Sequence, residues 1–186
     1  MEGAKRLTAQ IGVLDYFKRY VDIPTFLNCC RACPNFGRKW SCPPFGFSPE
    51  AYWKRFQTLH IYGLQIPVPA KARERAHSPD ELSQLIDKTL WAEKRRLNQE
   101  LIALEREHPN SVSLSAGSCK CCARCSRPAG VPCLQPSRMR YSIEALGGDV
   151  GRTAKELLGI EIQWAKDGIP PPYFTLVCGL LLPEQE

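Results

Sequence analysis

The chain has 186 residues, of which 44% are hydrophobic and 24% are charged, and its formal net charge is +6. This globular composition excludes a disordered chain, and the interleaving of basic residues with glutamates argues against a nucleic-acid partner. No run approaches the roughly 20 apolar residues of a membrane-spanning helix, and the start lacks the apolar stretch of a secretory signal. We therefore expect a cytoplasmic protein, not bound to a membrane, with a single domain over residues 1–186.

The first predicted elements lie on either side of a cysteine-rich loop at residues 29–44, here called module one. Apolar residues from Ile11 to Tyr20 predict an amphipathic segment, which Pro24 ends. After module one, residues 58–66 have the composition of a strand, which Pro67 and Pro69 stop. Between module one and this strand lies an aromatic-rich stretch that contains Phe45, Phe47, Tyr52, Trp53 and Phe56.

The clearest predicted element is a long helix over residues 79–107. Ser78, Pro79 and Glu81 supply an N-cap, a first-turn proline and a capping-box carboxylate. Apolar residues then recur at spacings of three, four or seven, which predicts one apolar stripe packed against the core; they are Leu82, Ile86, Leu90, Leu97, Leu101 and Leu104.

The remaining elements complete a mixed fold around a second cysteine-rich loop at residues 117–137, here called module two. We predict a strand over residues 111–116, a helical stretch over 142–146, a short helix over 152–158 and a buried strand over 173–182. The predicted class is α+β: a small, mainly antiparallel or mixed sheet covered by one long helix, with two metal-binding loops.

Ten cysteines in a chain expected in a reducing compartment indicate metal ligands or catalytic thiols rather than disulfides. Nine of them fall in the two modules. The tenth, Cys178, lies in the apolar run of the last predicted strand, where a small buried side chain is the expected role.

Module two has the spacing of a metal site. Cys119, Cys122 and Cys125 form C-x2-C-x2-C, and Cys133 follows after seven residues. The first three match the bacterial ferredoxin run, whereas the fourth is displaced by a longer loop. This spacing predicts that the four cysteines hold a [4Fe–4S] cluster, although Cys121 next to Cys122 leaves the register open.

Module one has three well-spaced cysteines, because Cys30, Cys33 and Cys42 form C-x2-C-x8-C. Cys29 is a possible fourth ligand or an alternative to Cys30. Either Cys29 or a distant group completes this site, or one position stays open for an exogenous ligand. One or two clusters are therefore expected in the chain.

Zinc is the alternative metal, since four thiolates can hold it tetrahedrally and it would only stabilise the loops. His60, His77 and His108 are all remote from the modules, so a mixed cysteine–histidine zinc site is not indicated. The repeated C-x2-C steps favour iron–sulfur, but spacing alone does not identify the metal.

Six cations lie between the candidate ligands: Arg31, Arg38, Lys39, Lys120, Arg124 and Arg127. Positive charge favours thiolates and raises the reduction potential of a cluster, because it stabilises the more negative reduced form. The alternative is ordinary solvated loop charge. Trp40 and the aromatic stretch after it are interpreted either as a shield for a cluster or as core.

The familiar catalytic motifs are missing from the sequence. There is no P-loop, no G-x-G-x-x-G and no C-x3-C-x2-C set of the kind found in radical-SAM enzymes. Nothing in the order or spacing of residues indicates Ser-His-Asp or Cys-His catalysis. The sequence therefore names no reaction, and whether the protein is an enzyme stays open.

Two segments resemble a known signature. They are CRACPNFGRKWSCPP at residues 30–44 and, beyond the cysteines of module two, RMRYSIEALG at residues 138–147. Together with Gly117, Cys119, Cys122, Cys125 and Cys133, they are similar to the predicted metal-binding proteins grouped as domain of unknown function 2284. This resemblance spans nearly the whole chain and implies a metal-binding role with the matched cysteines as ligands, but it supplies no reaction.

Three functional hypotheses follow from the sequence. The first is an iron–sulfur protein that passes single electrons to a redox partner protein or a small redox cofactor. The second is a zinc-stabilised interaction module without redox chemistry. The third is an enzyme in which the three-cysteine site leaves one iron open to bind substrate.

Overall fold

The computed structural model describes residues 3–184. Within that range the chain forms a four-stranded antiparallel sheet with strand order β1-β2-β4-β3. The strands are β1 (Lys5–Gly12), β2 (Thr58–Pro67), β3 (Val112–Leu114) and β4 (Tyr173–Leu182). The last strand of the chain thus lies inside the sheet between β2 and β3, and the predicted α+β class is confirmed.

Strand β4 is buried on both faces because helices cover both sides of the sheet. Leu176, Cys178 and Leu180 point into one core, whereas Val177 and Leu181 point into the other. This explains why residues 173–182 form a continuous apolar run rather than an alternating one. The predicted bounds of this strand agree with the structure.

One face of the sheet is covered by α1 (Val13–Tyr20), α3 (Pro49–Trp53) and α6 (Val150–Leu158), with a 3-10 helix at Glu144–Leu146. The other face is covered by α5 (Leu90–Glu107), which buries Leu97 and Leu101 against it. The remaining helices are α2 (Ile23–Arg31) and α4 (Pro79–Lys88), and further 3-10 helices lie at Ala70–Arg73 and Arg127–Ala129.

The long helix predicted over residues 79–107 is two helices, α4 and α5, that meet at Thr89. Its predicted start is confirmed: Ser78 Oγ accepts from the Glu81 N–H at 3.3 Å, and Glu81 Oε2 accepts from the Ser78 N–H at 2.8 Å. At the junction, the Thr89 hydroxyl donates to the Leu85 carbonyl at 2.7 Å, in competition with the backbone ladder. Such back-bonding bends helices, and the apolar spacing gave no sign of it.

Most of the segment predicted to be amphipathic, from Ile11 to Tyr20, forms helix α1 with one buried face. It is preceded by edge strand β1, along which Leu7, Ala9 and Ile11 alternate and pack on the core. Pro24 begins a helix rather than ending one, since it lies in the first turn of α2 behind the N-cap Asp22. As a result, Cys29 and Cys30 lie at the C-terminal end of a helix.

Smaller elements differ from prediction by a few residues at their ends. The strand predicted over 111–116 pairs with β4 over Val112–Leu114, and Ser115 adds an isolated bridge to Ser142. The helix predicted from residue 152 begins at Val150 behind the N-cap Asp149.

No helix within residues 3–184 is both long and apolar enough to cross a membrane.

Candidate metal centre

The five cysteines of module two surround one small cavity. Cys119, Cys121, Cys122, Cys125 and Cys133 all line it, and its volume is about 40 Å³, or room for about three water molecules. The other lining side chains come from both modules and from residues 134–139, and they include Trp40, Leu134 and Met139. The sequence-predicted ligands of module two are therefore brought together at one point of the fold.

In the turn at the start of module two, a backbone N–H group points at a cysteine sulfur. The Cys121 N–H donates to Cys119 Sγ at 3.4 Å, which is the kind of bond that stabilises a metal-bound thiolate. The Cys121 thiol itself donates to the Arg138 carbonyl at 3.7 Å. Burial and the adjacent Cys119 thiol raise the pKa of Cys121 to about 11 despite the opposing charge of Arg138, so this thiol is protonated at neutral pH.

Module one runs from the end of α2 through a series of turns. The Cys33 N–H donates to the Cys30 carbonyl at 3.0 Å, and the Cys42 N–H donates to the Lys39 carbonyl at 3.0 Å. Cys30 and Cys42 are half-buried, whereas Cys29 and Cys33 are exposed. Burial raises the pKa of Cys30 to about 11, with further contributions from the Cys42 and Cys33 thiols, so these three thiols are electrostatic neighbours.

The two modules interlock through Arg127 and Trp40. The Arg127 guanidinium, in module two, donates to the backbone carbonyls of Lys39, Cys42 and Pro44 in module one. In return, the Trp40 indole N–H reaches the Ser126 hydroxyl at 3.2 Å and the Val131 carbonyl at 3.1 Å. Arg127 also lies over the Trp40 ring. Each module is thus held partly by the other.

A second set of contacts joins the start of module two to module one. The Lys39 ammonium donates to the Cys119 carbonyl at 2.9 Å, and Ser41 Oγ accepts from the Cys119 N–H at 2.9 Å. Ser41 is fully buried. The backbone on both sides of Cys119 is therefore fixed by residues about 80 positions away in the sequence.

The comparison with known families bears directly on this arrangement. A family model described as predicted metal-binding protein, DUF2284, matches residues 20–182. The chain belongs to this family. The match confirms the resemblance seen in the sequence and includes all ten cysteines, and metal binding is thereby supported as the property of the family. No curated protein and no solved structure matches the chain.

In this DUF2284 protein, the side chains that line the cavity of module two fit a thiophilic metal. Among the described residues that line it, the thiols are the only strong metal ligands, with neither carboxylate nor imidazole. Within residues 3–184, no three cysteine, histidine or acidic side chains are already arranged to hold a metal ion. All ten cysteines are free thiols. Metal binding would draw the thiols inward and displace their protons.

Lys94, which sequence reasoning missed, supplies a buried charge beside module two. It lies on α5 and is only 3% exposed, and its ammonium donates to the Ser118 carbonyl at 2.7 Å. Burial lowers the pKa of Lys94 to about 8, against the opposing influence of Cys178 and Cys119. In the sequence, Lys94 lies in the charged run Glu93–Lys94–Arg95 and looks like another solvated residue. Only its position next to Ser118 in the fold distinguishes it from its charged neighbours.

In the aromatic stretch after module one, Trp53 and Phe56 are buried in the core, whereas Phe45 and Tyr52 are partly buried and Phe47 is exposed. Phe45, Phe47, Tyr52 and Tyr141 form a cluster with ring centroids 4.8–5.6 Å apart. None of these four rings lines the thiol cavity, whereas Trp40 does. Trp40 is therefore the aromatic residue of this region placed to border whatever the thiol cavity holds.

Replacing Arg127 with glutamine is expected to lower the free energy of unfolding by about 2 to 4 kcal/mol, because three carbonyls lose a charged donor. Protease cleavage within residues 29–44 should also become faster. Urea unfolding and limited proteolysis measure the two effects. Arg124→Gln is the matched control, since this exposed residue of the same module makes no hydrogen bond among the described residues. Equal stability of the two variants would contradict the interlock.

Proposed function

We propose that the chain is an iron–sulfur protein that transfers single electrons. In this proposal Cys119, Cys122, Cys125 and Cys133 hold one [4Fe–4S] cluster, and Cys30, Cys33 and Cys42 hold a second centre with one position open. The clusters supply the redox chemistry when bound, and the chain supplies thiolates, burial and nearby charge. A redox partner protein or small redox cofactor is the proposed electron acceptor or donor.

The observation that carries the proposal is the thiol-only cavity of module two. A cluster site needs several thiolates around a pocket from which carboxylates and bulk water are largely kept. Five thiols, Trp40 and apolar side chains make up much of such a pocket here. The C-x2-C-x2-C spacing agrees with this arrangement, because its short turns present successive thiols to the same cavity.

The positive charges near the thiols support a metal centre that becomes more negative when it is reduced. The ammonium groups of Lys39 and Lys94 lie beside the backbone of residues 118 and 119, and Arg127 lies against the carbonyls of module one. These cations favour the thiolate form and stabilise the reduced state of a cluster. The contacts between the modules, in turn, keep the two proposed centres in neighbouring loops.

Anaerobic purification tests the proposal through metal content. We expect a brown protein that contains iron and acid-labile sulfide in equal amounts, with about four of each for every cluster present. An electron paramagnetic resonance signal should appear on reduction. Protein that contains zinc alone, or no metal, would refute the iron–sulfur assignment, and the same sample provides the iron, sulfide and zinc measurements together.

A zinc-stabilised module is the second candidate, because the thiol-only lining of the module two cavity suits zinc as well as iron. Four thiolates of module two would complete a tetrahedral zinc site. In this case the protein is colourless, carries stoichiometric zinc, and loses the structure of both modules when the metal is chelated.

A further inference from the structure

A second cavity lies between α5 and module two, next to the thiol cavity. Its volume is about 290 Å³, close to the lower end of the roughly 300–1,000 Å³ typical of small-molecule sites. One wall is the exposed face of α5, and the other is formed by Lys120, Cys121 and Arg138. Cys121 lines both cavities, so the two are immediate neighbours.

The charges around this second cavity are strongly unbalanced. Four of its lining residues are cationic, namely Lys94, Arg95, Lys120 and Arg138, and none is acidic. Lys120 is partly neutralised by Asp87 at 3.3 Å. Within residues 3–184, Arg95 and Arg138 have no ion-pair partner, and both are exposed residues that line the cavity. Convergent, uncompensated cations attract anions.

Other groups in the cavity hold the ammonium groups of Lys94 and Lys120 in place and add hydrogen-bond donors. The Lys120 ammonium lies 3.8 Å from the centre of the Trp91 ring, and the Lys94 ammonium lies 4.5 Å from it. Lys94 is buried and bonded to the Ser118 carbonyl, so its position is fixed. The amides of Asn98 and Gln99 line the same wall. Fixed ammonium groups, guanidinium forks and amides together are the donor set that binds phosphate oxygens.

We propose that the cavity between α5 and module two binds a phosphorylated small molecule, with Arg95 and Arg138 as its principal anion contacts. A concave site of this volume suits a compact ligand, whereas an acidic protein partner would bind a larger and flatter surface. Because the cavity borders Cys121, the bound anion lies alongside the proposed metal centre. This inference holds for either metal, since it depends only on the cations and the cavity.

Calorimetry with the protein as purified, metal included, tests the proposal. The probes are sodium pyrophosphate and ADP, with adenosine as the uncharged comparison. We expect pyrophosphate and ADP to bind and adenosine to bind at least tenfold more weakly. In the double variant Arg95→Gln/Arg138→Gln, affinity for both anions should fall at least tenfold, since two charge-assisted contacts are lost.

The matched control is the double variant Arg73→Gln/Arg106→Gln, which removes the same charge from exposed sites outside the cavity. We expect it to bind within twofold of the parent protein, and circular dichroism and metal content check that both variants are folded. The proposal is wrong if neither anion binds at millimolar concentration, or if both double variants lose affinity equally, which would indicate attraction by net charge alone. Tight binding of polyglutamate without binding of pyrophosphate would assign the surface to an acidic protein and also overturn it.

Discussion

Replacing Cys125 with serine is expected to remove the metal proposed for module two, while the centre proposed for module one is retained. Serine is a poor ligand for soft metals, and Cys125 lies among the five thiols of the cavity. Iron and sulfide should fall to the amount that one centre holds. Because binding energy at structural metal sites is also folding energy, we expect a loss of several kcal/mol in the free energy of unfolding, at most about 10.

Metal analysis together with urea unfolding measures this prediction, and the chain offers a matched control. Cys29 is an exposed cysteine in module one and lies outside the proposed ligand set. Cys29→Ser should therefore leave both metal content and stability unchanged. Full metal content in Cys125→Ser would contradict the proposed ligands, and loss of metal in Cys29→Ser would place Cys29 among them.

The second large effect is expected at Glu105 on α5, which anchors the end of module two. Its carboxylate pairs with Arg140, where the Nε–Oε1 distance is 2.6 Å, and accepts from the Ser113 N–H and hydroxyl, each at 2.6 Å. The side chains of the pair are only 13% and 15% exposed. Glu105→Gln leaves the Arg140 charge half-buried and uncompensated, so we expect a loss of about 3 to 5 kcal/mol.

The pH dependence of this loss follows from the direction of the pKa shift. Burial by itself raises the pKa of Glu105, but the hydrogen bonds from Arg140 and Ser113 outweigh it and lower the pKa below its usual 4.5. The ionised pair therefore stabilises the fold fully above that value and loses its contribution as pH falls through the lowered pKa. The difference between the parent protein and Glu105→Gln should be largest near neutral pH and should shrink on acidification.

Urea unfolding at several pH values measures this difference, and Glu107→Gln is the control on the same helix. Glu107 is exposed and makes no ion pair among the described residues. Its replacement should change stability by no more than about 0.5 kcal/mol. Equal effects of the two substitutions would show that the Glu105–Arg140 pair contributes little. Arg140 also bonds the carbonyls of Ser137 and Met139, so Glu105→Gln should loosen the exit of module two as well.

Local patterns in the sequence determined the elements and residue sets that depend on neighbouring positions. The two strands of residues 58–66 and 173–182 and the capping box at Ser78 were predicted correctly, and the closely spaced Cys119, Cys122 and Cys125 line one cavity. In each case the cause is short-range, because side-chain periodicity, first-turn bonding and tight cysteine turns act over fewer than ten residues.

Only the tertiary structure decided how the two modules meet and what surrounds them. Arg127 reaches carbonyls 83 to 88 positions away, and Lys94 is distinguished from its charged neighbours solely by its bond to Ser118, 24 positions along the chain. The Arg140–Glu105 pair and the cation-lined cavity beside Cys121 are equally non-local. Periodicity and spacing describe contacts between near neighbours, whereas these contacts exist because the sheet brings α5 and both cysteine loops to one place.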